Sequence, residues 1–342
     1  MRRKAPQVLV VFTVSRRTLE QALEYLVCPA DYSELTLDTE RSDLVSDGAF
    51  VCTTCGKTYE IKNGVPYFFE KGNGFEWRET SFVSSIAETL GDRDLTWSKI
   101  LSLSGSFLSS FGNRKRAIDE IFDMIEKVIE TTEVEDEVAA YLMQAGTAAR
   151  YDIETYRGTF LLPRDILAFL ATRFSGTGIL VEGACATGEC LVEIAGELNS
   201  EFYLGLDISG GMVRQAQQIA SPKMLFVQGD IRFLPLRQSS AGVYVMNNVF
   251  DRVVDPPKAS REANRILDNT RSLFVPSNCD PLQYAYGDDI VWVPPEKQIS
   301  LEQGLELAGF RKMMETRDVW NIETAAYGKE ALPTISLVGG RK

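Results

Sequence analysis

The segment Gly178-Ile179-Leu180-Val181-Glu182-Gly183-Ala184-Cys185-Ala186-Thr187-Gly188-Glu189 decides the fold. Ile179, Leu180 and Val181 form a short apolar run that ends in an acid, Glu182, and small residues then run to Gly188. Leu191, Val192, Ile194 and Ala195 follow at helical spacing. The pattern predicts a strand, a tight turn stripped of bulk, and the start of a helix. A turn of small residues lets a ligand lie against the backbone, and a helix N-terminus offers free N–H donors. In an open parallel sheet that crevice lies beyond the carboxyl ends of the strands, where ligands bind.

Downstream, strands alternate with helices. Glu201–Asp207, Met224–Asp230, Ala241–Asn248 and Ser272–Val275 read as strands, while Pro163–Phe174, Met212–Ala220 and Pro257–Leu267 read as helices. This order predicts an α/β fold with a doubly wound parallel sheet. Leu301–Ala308 reads as a helix stopped by Gly309, and Phe310–Val319 and Pro333–Val338 as two final strands with a long loop between them. The strand ends carry groups suited to a nucleoside. Asp207, 19 positions after Gly188, suits bidentate bonding to ribose hydroxyls. Asp230 can accept from an exocyclic amine, Ile231 can wall an adenine face, and Asn247 ends the fourth strand where a substrate would meet a cofactor. A dinucleotide-binding Rossmann domain is the competing reading, but Gly-x-Gly-x-x-Gly is absent.

VEGACATGECLVEIA, YLGLDISGGMVRQAQ, FVQGDIRFLPLRQSSAGVYVMNNVFDRVVDPPKASREANRIL and LELAGF resemble, in order and spacing, the successive motifs of class I S-adenosylmethionine-dependent methyltransferases. The resemblance implies their Rossmann-like sheet over residues 157–342. It also implies a cofactor site in which Glu182, Gly183, Ala184, Cys185 and Gly188 meet the methionine part of S-adenosylmethionine. Asp207 would hold the ribose, Ile208 and Met212 would lie near the adenine, Asp230 and Ile231 would recognise it, and Asn247 would lie under the sulfonium. Two glycines of the family's first turn are Ala184 and Ala186 here, a substitution of small cost if φ stays negative. The family often has Glu-His after the fourth strand, where this chain has Asp251-Arg252. A sulfonium methyl is already a strong electrophile, so catalysis is largely alignment and desolvation. A base is needed only for a poor nucleophile, and Tyr141, Tyr151, Tyr156 and Asp251 are the candidates. Cys185, Cys190 and Cys279 read as small hydrophobes.

Residues 1–70 read as a separate small module. Cys28-Pro29-Ala30-Asp31 and Cys52-Thr53-Thr54-Cys55-Gly56 form one altered and one intact Cys-x-x-Cys knuckle, with strand pieces at Leu35–Leu37, Ala49–Val51, Thr58–Ile61 and Val65–Phe69. Cys28, Asp31, Cys52 and Cys55 could close a tetrahedral zinc site, since carboxylate is an accepted ligand. The alternative is a site that has lost its metal, with Asp31 solvated. YLVCPAD…FVCTTCGKTYEIKNGVPYFF resembles the small zinc-ribbon protein that activates several methyltransferases of the translation machinery, and the related ribbons fused to bacterial methyltransferases.

Residues 71–156 read as a helical connecting region. Arg114–Val128 and Val138–Tyr156 carry helical apolar spacing on either side of the acidic run Glu130–Glu137. Tyr151 or Tyr156 could serve a lid over the pocket, against the alternative of an ordinary packing helix. The formal net charge of −12 disfavours wide binding to a phosphate backbone, though the first 17 residues hold four Arg and one Lys. No His is present, which removes the usual neutral-pH base. The start, MRRKAPQVLVVFTVSRR, has too short an apolar core for a signal peptide and reads as a strand of a cytoplasmic protein; no apolar run reaches the ~20 residues a bilayer needs. The reading that follows is a methyltransferase acting on a small molecule, with no membrane partner and a homodimer left open. An enzyme modifying RNA or a translation factor, and a non-catalytic binding protein of the same fold, are the alternatives.

Overall fold

Four apolar runs make the centre of the main sheet: β8 (Ile179–Gly183), β9 (Tyr203–Asp207), β10 (Met224–Gln228) and β11 (Ala241–Met246). They are buried almost throughout, as parallel strands covered on both faces must be. In this computed structural model the described residues are 13–68, 156–157, 161–174, 176–208, 210–253, 255–267, 271–279, 285–286, 290–291, 297–324 and 328–341. β12 (Leu273–Cys279), β15 (Phe310–Thr324), β16 (Gly328–Arg341) and β7 (Tyr156–Arg157) complete an 8-stranded sheet of order β10-β9-β8-β11-β12-β16-β15-β7. The strands from β10 to β12 are parallel, and the order reverses between β8 and β11. That switch point opens a crevice beside Gly183 and Met246, which pair across it.

Two sequence expectations change. The sheet is mixed, because β16 runs antiparallel to both β12 and β15. The long loop expected between the last two strands is mostly strand, with Thr324 pairing Gly328. Polar residues such as Arg317, Asp318 and Asn321 interrupt the apolar pattern there, while backbone pairing continues regardless. The short ribbon β13 (Ala285–Tyr286) and β14 (Ile290–Val291) follows β12.

Helices α2 (Arg164–Arg173), α3 (Glu189–Glu197) and α4 (Gly210–Ala216) cover one face, burying Ile166, Leu170, Leu191, Ile194 and Val213 on Leu180, Phe226, Val243 and Val245. Helices α5 (Pro256–Ile266) and α6 (Leu301–Leu307) cover the other. Their Ala263, Ile266, Leu301 and Leu305 join Val181, Tyr244 and Phe274. Asp255 caps α5 by accepting from Lys258 N–H, and Ser300 with Gln303 forms a reciprocal capping box on α6.

The N-terminal segment is continuous with that second core. β1 (Val14–Ser15) pairs with β3 (Leu44–Val45), and Ser15 caps α1 (Arg16–Ala22). β2 (Leu35–Asp38), β4 (Gly48–Cys52), β5 (Thr58–Lys62) and β6 (Val65–Pro66) form a 4-stranded antiparallel sheet. Leu19, Leu26, Phe50, Tyr59 and Phe68 pack in the same cluster as Leu225 and Val227 of β10. Tyr67 bridges Gln228 in parallel, and Phe68 N–H donates to Gln228 O at 2.8 Å. The segment therefore covers the edge that β10 would otherwise leave unpaired. The expected helix at Arg114–Val128, residues 138–155 of the one expected at Val138–Tyr156, the acidic run between them and Tyr151 lie outside the described residues, as do residues 1–12, while Tyr156 itself is strand, its backbone paired with Thr324.

Candidate functional site

The turn after β8 is tight because three of its residues are left-handed: Ala184 at φ 58°, Ala186 at φ 46° and Gly188 at φ 85°. The condition of negative φ at the two alanines is not met, and each carries roughly 1–2 kcal/mol of strain. Gly188 has no alternative, since a Cβ there would meet Phe226 Cζ at 2.6 Å. At Gly183 a Cβ would run into the Tyr244 hydroxyl and the Ile231 side chain. The bend carries Cys185 N–H onto Leu206 O at 3.0 Å and Ala186 N–H onto the Asp207 carboxylate at 2.9 Å. The first turn and the acid of the second strand are thus joined by direct bonds. Gly229 N–H donates to Asp207 O at 2.9 Å, which brings the third strand's end to the same place.

Glu182 is buried, with its Oε2 unpartnered. Burial pushes its carboxyl up to about 8, the nearby Asp207 and Glu189 charges add to the rise, and the Cys190 thiol and Leu191 N–H beside it oppose it. A buried carboxylate lacking a partner on one oxygen is a place for a cation. Asn247 lies at the end of β11 with Oδ1 accepting from Ser277 Oγ at 3.0 Å and Nδ2 donating to Cys190 Sγ at 3.6 Å. Met212 is buried beside the turn after β9, and Ile208 O accepts from Gln228 Nε2 at 2.8 Å.

Asp230 departs from its expected state. Its carboxylate accepts from Arg232 N–H at 2.8 Å, from Nε at 3.0 Å on both oxygens, and from the terminal nitrogen at 2.6 Å. Those contacts use the roughly four lone-pair sites of a carboxylate. An adenine amine would have to displace Arg232 to reach it. Ile231 stays as an apolar wall next to Gly183.

Residues 181–275 match the family described as "Methyltransferase domain". The chain carries an S-adenosylmethionine-dependent methyltransferase domain. Similar solved structures include the YcgJ protein of Bacillus subtilis, at 12% identity over 53% of this chain and 99% of that one, with a TM-score of 0.39. A SAM-dependent methyltransferase from Methanosarcina mazei has 15% identity over 53% and 98%, with a TM-score of 0.40. A complex of the Haloferax volcanii Trm112 methyltransferase activator with a putative methyltransferase has 16% identity over 51% and 86%, with a TM-score of 0.37. No curated protein matches the sequence.

The donor set of the turn fits S-adenosylmethionine: the orphaned Glu182 oxygen suits the cationic methionine end, and Asp207 suits the ribose. That group supplies an electrophilic methyl on a sulfonium; the protein's part is to bind, orient and dehydrate. Of the candidate bases, Asp251 is wholly buried in the turn Phe250–Arg252, its N–H donating to Asn278 Oδ1 at 3.3 Å. Tyr156 lies in β7 on the outer edge of the sheet, separated from β8 by β11, β12, β16 and β15. Sequence reasoning missed Arg232, Cys190 and Ser277. The Asp-x-Arg spacing at 230–232 was the available signal for the first; the register of β11 with β12 brings Ser277 to Asn247, and Cys190 comes to it from the first turn of α3.

Cys28, Asp31, Cys52 and Cys55 bring one ligand atom each within 4.8 Å of all the others. Zn–S bonds of about 2.3 Å in a tetrahedron place sulfurs about 3.8 Å apart, and a carboxylate oxygen at about 2.0 Å lies about 3.5 Å from sulfur. Cys28 and Cys55 sulfurs are 3.7 Å apart, and Cys52 Sγ is 3.5 Å from Asp31 Oδ1. Thr54 and Cys55 N–H groups both point at Cys52 Sγ at 3.4 Å, a cradle that favours a thiolate.

Proposed function

We propose that the domain transfers a methyl group from S-adenosylmethionine to a small-molecule acceptor. The observation that carries this is charge. The net charge of −12 repels a polyanion, and the Arg16 guanidinium is tied to the carbonyls of Ser42 and Glu40 at 3.2 and 2.7 Å. Asp207 and Glu182 hold the cofactor, Asn247 lines the side where the acceptor enters, and no charged base is required of an acceptor that is already nucleophilic. Zinc held by Cys28, Asp31, Cys52 and Cys55 staples the N-terminal module, which then braces the edge of the sheet at β10. Transfer of a labelled methyl group into fractionated cell extract tests the proposal. Label in the metabolite fraction is the expected result; label in RNA or protein replaces the acceptor class, and no incorporation anywhere removes the activity.

A further inference from the structure

We propose that Tyr59 is a positioning residue for a metal ion at Cys28, Asp31, Cys52 and Cys55, its hydroxyl holding the Cys28 thiolate from outside the cluster. The proposal rests on the zinc reading given above. The Tyr59 hydroxyl lies 3.1 Å from Cys28 Sγ, and both side chains are buried. Between a thiol and a phenol either atom could give the proton. A metal ligand must be a thiolate, which has no proton to give. With metal bound, the phenol is therefore the donor and the sulfur the acceptor.

Such a donor answers a need of this cluster. Three thiolates and a carboxylate around a divalent ion leave negative charge in excess. Hydrogen bonds from the surroundings spread that charge and fix the orientation of each ligand. Cys52 Sγ receives Thr54 and Cys55 N–H, each at 3.4 Å, and Asp31 Oδ1 accepts from Ser33 N–H at 3.0 Å. These donors are backbone groups within the knuckles. Tyr59 comes from outside them, from β5, where its backbone pairs with Phe50 of β4. A phenylalanine there would fill the same space and desolvate no hydroxyl, so the oxygen costs stability unless its bond to sulfur is used.

The other end of the same side chain meets the main sheet's cover. The Tyr59 ring lies 5.2 Å from Phe68, whose ring is 5.8 Å from Phe50 and whose N–H donates to Gln228 O at the end of β10 at 2.8 Å. Tyr59 thus meets a ligand at its tip and the aromatic packing beside β10 at its ring. The two ends can be tested apart. Tyr59→Phe removes the tip and keeps the ring, whereas Phe68→Leu loosens the packing around the ring and leaves the tip.

The test is titration of the reduced, metal-free full chain with cobalt(II), followed by displacement with zinc. Wild type should show the strong thiolate-to-cobalt charge-transfer absorption of a sulfur-rich tetrahedral site. A hydrogen bond lowers the energy of the sulfur electrons, so its loss in Tyr59→Phe should move that band to longer wavelength. Zinc should bind this variant about tenfold more weakly, the low end for losing a partner behind a ligand, because the Ala30 and Asp31 backbones also face Cys28. Phe68→Leu should lower Tm and leave the band in place. A wild-type band in Tyr59→Phe overturns the proposal, as does an equal displacement of the band in Phe68→Leu. A wild-type chain without the band refutes the metal site itself, and the role of Tyr59 falls with it.

Discussion

Glu182 sets a conflict between folding and binding. In the unfolded chain its carboxyl titrates near the ordinary 4.5, and in the folded chain near 8. The folded state therefore keeps a proton that the unfolded state has lost, and this group's effect lowers stability as pH rises from about 4.5 to about 8, with no further change above. Glu182→Gln removes that dependence, so its melting temperature should gain on wild type between pH 5 and pH 8. The same variant should lose most affinity for the cofactor. Wild-type affinity should climb between pH 6 and pH 8 as the carboxylate ionises, with proton release on binding measured by calorimetry in buffers of different ionisation enthalpy. Flat affinity over that range would remove Glu182 from the site. The two alanines of the turn offer a second test. Ala184→Gly and Ala186→Gly relieve left-handed strain at the expense of some chain entropy, so each should raise stability by up to about 1 kcal/mol in denaturant unfolding. The alanines were visible as departures in the sequence, but their φ was not; a backbone angle is set by where Cys185 and Ala186 N–H must reach, on β9.

The loop after β10 is held from two sides. Leu26 bridges Leu236, Val27 N–H donates to Pro235 O at 3.0 Å, and Arg237 N–H donates to Tyr25 O at 2.8 Å. From α5, Glu262 accepts from Leu234 N–H and Arg265 donates to the carbonyl of Leu234, each at 2.8 Å. Tyr32 lies under the Arg265 guanidinium at 4.3 Å, which ties the two holds together. Asp230 and Ile231 open this loop, so damage to the N-terminal segment should reach cofactor affinity. Phe68 makes the clearest trial: it is 3% exposed, and its ring lies 5.8 Å from Phe50 and 5.2 Å from Tyr59. Phe68→Ala should cost about 3–5 kcal/mol in denaturant unfolding. The parallel strands, their helices and the acids at their ends were legible because apolar runs and strand-end carboxylates are local patterns. The β15–β16 pairing, the Asp230–Arg232 clamp and the shared core were not, because each depends on neighbours distant in sequence or on a choice between partners that composition does not rank.

At the scale of the whole molecule, the N-terminal segment's apolar residues and the face of the sheet under α5 belong to one cluster of buried side chains. A small module stapled by metal would ordinarily unfold by itself when the metal is taken away. Here Leu19, Leu26 and Phe68 cannot leave without exposing Leu225, Val227 and Leu236, so the loss spreads to β10. If the four residues hold zinc, the metal at a free concentration a hundredfold above its dissociation constant would stabilise the folded chain by about 2.7 kcal/mol. For domains of 150–250 residues each kcal/mol moves Tm by about 2–4 °C, so chelation should lower it by roughly 5–10 °C. One calorimetric transition, shifted as a unit, is the expected form; two separate transitions would show that the N-terminal segment melts alone. Cys55→Ser should reproduce the chelated value, because Cys55 is exposed and its thiol adds little packing beyond its part in the cluster with Cys28, Asp31 and Cys52. If chelator leaves Tm where it was while Cys55→Ser lowers it, the thiol acts through contacts within the protein and the four residues are not a zinc site.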